Sequence, residues 1–199
     1  MKKVPLISAA NSRRGTQFKM NFTVEGNKNI IFKPAWYPRN EVIEGEVYSG
    51  KDRHSSEILS FYLGALLNFR WTSVVVGRAI NLRDVFDIAD KELQETIISK
   101  SKNSHAWRYF LNFILLGNGS KLCVYGKCYY CNPSETVCGN KTHFIEGAFI
   151  YNIEGTINKH KSPWQRTYKE NQKAIWEVEG DANYCDNVKQ KFSITRLLD

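Results

Sequence analysis

A lysine and a glutamate of this sequence have the chemical types and the setting that phosphate chemistry requires. Lys33 ends an apolar run that is typical of a β-strand, and Glu57 lies in the first turn of a predicted helix. A nucleoside triphosphate needs a fixed cation on its phosphates and a carboxylate on the neighbouring helix to hold that cation or a metal. A strand-end lysine can also be an ordinary solvated residue, and the pattern by itself leaves both interpretations open.

Four cysteines fall within sixteen residues, at positions 123, 128, 131 and 138. Such a cluster suits either a zinc site or a pair of disulfides. Zinc sites usually set two close pairs about twelve or more residues apart. Here four, two and six residues separate successive cysteines, so the spacing favours disulfides. A fifth cysteine, Cys185, is then either a free thiol or paired outside this chain.

Three N-glycosylation triplets accompany the cysteines, and they start at Asn21, Asn118 and Asn140. One triplet is common by chance, but three in a chain this short favour a protein of the secretory pathway. Together with the predicted disulfides they indicate an oxidising compartment.

The charge of the chain narrows the class of partner. Its 199 residues include 28 lysines and arginines and 20 aspartates and glutamates, a formal net charge of +8. The positive charges are scattered, so nucleic acid is not favoured; a solvated basic surface and a surface that meets phosphates or anionic polysaccharide both stay open.

No apolar run approaches the roughly 18 to 20 residues of a membrane span. The apolar stretch within residues 1–7 is too short for a signal peptide. We therefore expect any targeting segment or membrane anchor to be absent from this chain.

The periodicity of apolar residues predicts the elements that must position Lys33 and Glu57. It predicts strands over 17–24, 30–33, 74–82 and 145–153, an amphipathic helix over 54–68, a short helix over 90–98 and a cysteine loop over 123–138. Asp52 or Ser55 is expected to cap the long helix. A hairpin that ends in a lysine, then a helix with an acid, then a strand is the order of a kinase amino-terminal lobe.

Several short motifs make this order specific. They are Gly15-Thr16-Gln17, Ile31-Phe32-Lys33-Pro34, Glu44-Gly45-Glu46, Asp52-Arg53-His54 with Glu57, Val75-Val76-Gly77-Arg78, Tyr125-Gly126-Lys127-Cys128-Tyr129-Tyr130-Cys131, Ile145-Glu146-Gly147, Pro163-Trp164-Gln165-Arg166-Thr167-Tyr168, Trp176-Glu177, Tyr184-Cys185-Asp186 and Arg196-Leu197-Leu198-Asp199. From about residue 13 to 199 the chain resembles the glycosaminoglycan xylosylkinase group, within the secretory-pathway kinase family that also holds the Golgi casein kinase.

The resemblance implies an α+β, atypical protein-kinase-like fold. Residues 1–12 would be a tail, 13–153 the amino-terminal lobe and hinge, and 154–199 an incomplete start of the carboxy-terminal lobe. The implied activity is transfer of phosphate from ATP, with Mn²⁺ or Mg²⁺, to the xylose 2-hydroxyl in the proteoglycan linkage region. The implied location is the Golgi lumen, and a kinase of the same family is a possible partner.

The resemblance also implies roles for individual residues. Gln17 and Lys33 would contact the ATP phosphates, Asp52 would help to hold the metal, and Glu57 would be a supporting acid near Lys33. The residues of the hinge strand against adenine would be Glu146, Gly147, Ala148 and Phe149. The implied disulfides join Cys123 with Cys138 and Cys128 with Cys131. Lys33, Gln17, Asp52, Glu57 and Glu146 could instead be surface or helix-start residues.

The sequence departs from the family pattern in its last part. The family's catalytic base and a later metal-binding aspartate are expected downstream of Asp199, so we expect the 199-residue chain by itself to be inactive. Residues 99–116 have no counterpart in the family pattern, and residues 190–195 lack the family's Pro-Tyr-Asp. The usual partner of Cys185 would lie in the missing lobe.

Two other functions stay open at this stage. One is a non-catalytic, pseudokinase-like module that pairs with an active relative. The other is a secreted, disulfide-stabilised carbohydrate binder that uses Trp36, Tyr37, Trp164 and Tyr168 as stacking platforms, although these aromatics also suit a packed core.

Overall fold

The computed structural model describes residues 1, 3–13, 15–38, 40–46, 49–51, 53–69, 72–100, 108–109 and 121–154, together with residues 173, 177 and 186. The chain divides into two compact units, Met1–Ile153 and Glu154–Asp199. All the helices and strands given below lie in the first unit. The assignment of these residues to the lobes of a kinase stays a prediction.

The first unit has twelve described helices and strands. In chain order they are β1 (Leu6–Asn11), β2 (Met20–Val24), β3 (Lys28–Pro34), α1 (His54–Leu66), β4 (Val75–Asn81), α2 (Leu82–Ile88), α3 (Lys91–Gln94), β5 (Ile97–Lys100), β6 (Arg108–Tyr109), β7 (Lys121–Val124), β8 (Val137–Cys138) and β9 (Phe144–Tyr151). The fold is therefore mixed α and β, as predicted. No helix in the described ranges is both long enough and apolar enough to cross a bilayer.

The nine described strands form two antiparallel sheets. The five-stranded sheet has the order β1-β2-β3-β9-β4, and the four-stranded sheet has the order β6-β5-β7-β8. In the larger sheet β9 enters between β3 and β4, although more than a hundred residues separate β9 from β3 in the sequence. The strand that carries Lys33 is consequently an inner strand, with β2 on one side and β9 on the other.

The β2–β3 hairpin follows from its turn and its alternation. Gly26 and Asn27 adopt positive φ angles of 76° and 56°, which glycine and asparagine tolerate best, and Val24 then pairs with Lys28. Phe22 and Phe32 are fully buried on one face, as the period of two predicts. Their rings pack with that of Phe149, with centroids 5.1 to 6.1 Å apart.

The helix α1 differs from its prediction in its burial and in its cap. Its apolar spacing predicted an amphipathic helix, but none of its residues is buried, and Leu66 is 83% exposed. Its N-cap is Arg53, whose side chain makes no capping hydrogen bond, so the cap predicted at Ser55 is wrong. The other predicted cap, Asp52, lies outside the described residues.

Several boundaries also differ from the sequence predictions. Residues 6–11 form a strand and not a tail, because Ala9 and Asn11 are buried against the unit although the segment shows no clean alternation. The helix predicted over 90–98 ends at Gln94, and Ile97 already belongs to β5. The seven-residue helix α2 was not predicted. Of the unassigned stretch 99–116, only Ser99, Lys100 and the short strand β6 lie within the described residues.

Candidate functional site

Lys33 and Glu57 form an ion pair between the sheet and α1. Alternation along β3 buries Phe32 and Pro34 and turns Lys33 to the opposite face. Glu57 is in the first turn of α1, and α1 packs on β4 and β9 of the same sheet. The side chains of Lys33 and Glu57 are 18% and 35% exposed, so both charges are held in a partly dehydrated setting. A cation fixed in this way can bind a phosphate oxygen.

Gln17 lies in the loop between β1 and β2 and is half-buried. It lines a narrow cleft together with Trp36, Lys51, Glu135 and the disulfide loop. Among the described residues, the lining of this cleft does not include Lys33 or Glu57. The contact of Gln17 with an ATP phosphate therefore stays a prediction.

Asp52, the predicted metal ligand, lies outside the described residues. The residues on either side of it, Lys51 and Arg53, are described, and both lie beside aromatic rings. Within the described ranges no three or more side chains of histidine, cysteine, aspartate or glutamate come together in a way that could hold a metal ion.

The residues expected at the adenine base lie inside the sheet. β9 pairs with β3 on one side and with β4 on the other: Ala148 lies opposite both Lys33 and Gly77. The carbonyl of Glu146 accepts a hydrogen bond from the backbone N–H of Ala35 (2.8 Å). Ladder pairing on both sides occupies the backbone groups of residues 146–149, so reading of a base by these groups is not supported by the geometry.

Gly147 has a different role, because it allows close packing beside Lys33. A Cβ atom at this position would lie 2.4 Å from the carbonyl oxygen of Lys33 and 2.4 Å from the ring of Phe32. No side chain fits in that space. Glycine at 147 therefore allows β9 to pair with β3 at the residues next to Lys33.

The cysteine loop is closed by two disulfides, Cys123–Cys138 and Cys128–Cys131. These are the pairs that the resemblance implies. Cys123 and Cys138 are register partners of β7 and β8, with Cα atoms 3.9 Å apart, whereas Cys128 and Cys131 close a tight turn. Cys185 lies outside the described residues.

Two of the three glycosylation triplets are described. Asn140 is exposed, and its Oδ1 accepts hydrogen bonds from the backbone N–H and the hydroxyl of Thr142 (2.9 and 2.8 Å) and from the N–H of Phe144 (3.0 Å). Asn21 is half-buried on β2, on the face opposite to Phe22. Asn118 lies outside the described residues. Glycosylation of all three stays a prediction.

A group of aromatic and cationic residues beside α1 was missed as a unit by the sequence analysis. The backbone N–H of Lys51 donates to the hydroxyl of Tyr37 (3.0 Å), and the Lys51 ammonium lies 5.6 Å from the ring centroid of Trp36. The Arg53 guanidinium lies 5.6 Å from the ring centroid of Tyr37. The same aromatics help to line a cavity of about 430 Å³, with Pro38, Arg53, His54, Ser55, Ile58, Leu59 and Tyr62. Long-range contacts of this kind leave no periodic signal in the sequence.

Two further groups have shifted pKa values. Burial lowers the pKa of Arg78, which donates hydrogen bonds to the carbonyls of Met1 and Val4 and lies 5.0 Å from the ring centroid of Phe149. Burial, and then the charge of Arg83, lowers the pKa of His143. Both groups lie at the sheet rather than at the Lys33–Glu57 pair.

Comparison with known proteins assigns this geometry to a family. The profile described as "Golgi casein kinase, C-terminal, Fam20" matches residues 1–199. The chain is 46% identical to a Drosophila melanogaster protein named glycosaminoglycan xylosylkinase homolog, over 100% of this chain and 44% of that protein. It is 37% identical to the human glycosaminoglycan xylosylkinase, over 98% of this chain and 44% of that protein. The chain thus spans less than half the length of these relatives.

Solved structures agree with the relatives. A hydra Fam20 structure with sugar aligns with a TM-score of 0.75 at 37% identity, covering 98% of this chain and 51% of that one. A Golgi casein kinase structure with Mn and ADP bound aligns with a TM-score of 0.68 at 27% identity, covering 94% of this chain and 42% of that one. The predicted kinase-like fold is confirmed by these likenesses.

Proposed function

Because the chain belongs to the Fam20 family of Golgi casein kinase domains, we propose that the protein is a secretory-pathway kinase that phosphorylates the 2-hydroxyl of xylose. The acceptor is the glycan of the glycosaminoglycan–protein linkage region of proteoglycans, and the donor is ATP. The observation that carries the proposal is the 46% identity, along the whole chain, to the Drosophila melanogaster xylosylkinase homolog.

The geometry of the Lys33–Glu57 pair supports a nucleotide site. Phosphoryl transfer leaves little covalent work to the protein, and catalysis is mostly positioning and electrostatic stabilisation. Lys33 on a rigid inner strand presents its ammonium where a triphosphate can bind, and Glu57 keeps it there. Gln17 is proposed as a second contact to the phosphates, from the loop between β1 and β2.

The described residues do not by themselves make a metal site. Glu57 is the carboxylate beside Lys33, and the described ranges contain no cluster of metal-ligating side chains. The Golgi casein kinase structure with Mn and ADP supports Mn²⁺, or Mg²⁺ in its place, as the proposed cofactor. Asp52 is the proposed ligand, and Glu57 is the supporting acid beside Lys33. Such an ion would neutralise charge on the phosphates.

The disulfide loop supports the proposed compartment. Two disulfides within residues 123–138 suit the oxidising lumen of the secretory pathway and not the cytosol. The exposed triplet at Asn140 is compatible with glycosylation there. We propose the Golgi lumen, where the linkage glycan is assembled, as the place of action.

An acceptor panel tests the proposal. The protein is expressed from its full coding sequence in a secretory host and incubated with labelled ATP and Mn²⁺. The acceptors are a galactosyl-xyloside, a lactoside of matched size and a serine-rich acidic peptide. We expect kcat/KM to be highest for the galactosyl-xyloside, with little transfer to the lactoside.

Two other outcomes of this experiment would indicate a different function. Transfer to the peptide alone would assign the protein to the protein-kinase side of the family and contradict the proposal. Absence of transfer to every acceptor would favour the alternative, a non-catalytic module that acts with an active family member. Pull-down of such a kinase would then be the next measurement.

A further inference from the structure

The amino-terminal end of α1 is held by polar contacts rather than by a buried face. None of the residues of α1 is buried, and the N-cap Arg53 makes no capping hydrogen bond with its side chain. Instead, the Arg53 guanidinium donates to the carbonyl of Glu41 (3.2 and 3.3 Å) and lies over the ring of Tyr37. The helix that carries Glu57 therefore packs on β4 and β9 without a fully buried residue, and polar contacts add to the hold on its amino-terminal end.

Lys51, two residues before Arg53, connects this end to a distant part of the chain. Its ammonium donates to Oε2 of Glu135 at 2.5 Å, across 84 residues of sequence. The Lys51 side chain is 23% exposed, and its backbone N–H is bonded to the Tyr37 hydroxyl. Lys51 is thus fixed at both its backbone and its side chain.

Glu135 belongs to a loop that is held by a disulfide and by hydrogen bonds. It lies between Cys131 and Cys138, inside the loop that the Cys123–Cys138 disulfide closes. Its backbone N–H donates to the carbonyl of Asn132 (2.9 Å), and the next residue, Thr136, accepts a hydrogen bond from Lys100 of β5 (2.7 Å). The disulfide loop thus gives Lys51 an anchor that is distant from α1 in sequence and adds to the contacts of α1 with β4 and β9.

We infer that Glu135 is a positioning residue for the nucleotide site: through Lys51 it holds the start of α1 so that Glu57 meets Lys33. This inference rests on the proposed kinase function. Kinases need the strand lysine and the helix glutamate in contact, and displacement of the helix separates them. Because only five residues separate Lys51 from Glu57 in sequence, a movement at Lys51 should reach the first turn of α1.

The test compares single variants with a charge swap, in the protein expressed from its full coding sequence. Glu135→Gln should raise the KM for ATP about threefold to fivefold, the scale of a partly exposed ion pair, and leave the KM for the galactosyl-xyloside unchanged. Glu135→Lys should raise the KM for ATP further. Lys51→Glu combined with Glu135→Lys should return the KM for ATP towards the wild-type value. The difference between Glu135→Gln and wild type should shrink at high salt.

A second ion pair, whose lysine lies in the same disulfide loop, provides a matched control. Lys127 forms an ion pair with Glu95 at 2.8 Å, and this pair does not involve the residues before α1. Glu95→Gln removes that pair and should leave the KM for ATP unchanged. Melting temperatures of all variants identify a general loss of stability, which would lower the fraction of active protein and so kcat, without a selective rise in the KM for ATP.

Two results would overturn the inference. One is a KM for ATP that is the same in Glu135→Gln as in Glu95→Gln and wild type. The other is a charge swap that fails to restore the effect of Glu135→Lys in a folded protein. If wild type transfers no phosphate, the proposed function fails, and the affinity for Mn²⁺-ADP measured by calorimetry decides the inference in place of KM. A protein that does not bind Mn²⁺-ADP either would overturn both.

Discussion

Lys33 on β3 and Glu57 on α1 are 24 residues apart in sequence and form an ion pair on the face of the sheet opposite to the phenylalanine core. The pair depends on two separate supports. β3 is fixed as an inner strand between β2 and β9, whereas α1 is held through the contacts of Lys51 and Arg53 at its start and through its contacts with β4 and β9. Changes to either support should therefore affect nucleotide binding.

Gly147→Ala should disturb the sheet next to Lys33. The added Cβ would lie 2.4 Å from the Lys33 carbonyl oxygen and from the Phe32 ring, so β9 or β3 must move. We expect a loss of about 1 to 3 kcal/mol in the free energy of unfolding, measured by denaturant titration, together with weaker ATP binding. The control is Gly26→Asn in the hairpin turn, where asparagine tolerates the positive φ of 76°. A stable Gly147→Ala protein with unchanged ATP affinity would contradict this account of the packing.

The disulfide Cys123–Cys138 should be important for stability. Cys123 is completely buried, and the bond closes a loop with a sequence separation of 15 residues. Replacement of both cysteines by serine should lower the free energy of unfolding by about 3 kcal/mol, on the chain-entropy account. Peptide mass mapping of the unreduced protein should show Cys123 linked to Cys138 and Cys128 linked to Cys131. Stoichiometric zinc in place of these links would refute the assignment.

His143 should make stability depend on pH. Burial and Arg83 lower its pKa in the folded protein below the ordinary value of about 6.5, so the unfolded state binds the proton more readily. The contribution is fully present above about pH 6.5 and is lost as the pH falls below that value. His143→Asn keeps a residue that tolerates the positive φ of 65° and should flatten the pH profile of the melting temperature between pH 5 and 7. An unchanged profile in this variant would show that other groups set the dependence.

The sequence predicts the parts of the fold that short-range patterns specify. The alternation around Phe22 and Phe32, the turn at Gly26 and the helical spacing after residue 54 each predict an element that the structure contains. The position of β9 between β3 and β4 has no local signal, because pairing between distant strands is decided by the whole core.

In the candidate site, too, the sequence predicts only some of the contacts. Lys33 and Glu57 could be proposed from the type and order of their elements, and the structure brings them together. The pairing of Lys51 with Glu135 could not be proposed from the sequence, since a lysine and a glutamate 84 residues apart share no periodicity. The exposure of α1 was also missed, because amphipathic spacing indicates which face is apolar and not what covers it.

The most direct test of the central claim is phosphate transfer by wild type and by Lys33→Ala, with Lys91→Ala at the exposed start of α3 as the control. Each protein, expressed from its full coding sequence in a secretory host, receives labelled ATP, Mn²⁺ and a galactosyl-xyloside, and NMR locates the phosphate on the product. We predict that wild type and Lys91→Ala place phosphate on the xylose 2-hydroxyl and that Lys33→Ala is slower by about a hundredfold or more. Equal transfer by Lys33→Ala and wild type, or phosphate at any other position, would contradict the account.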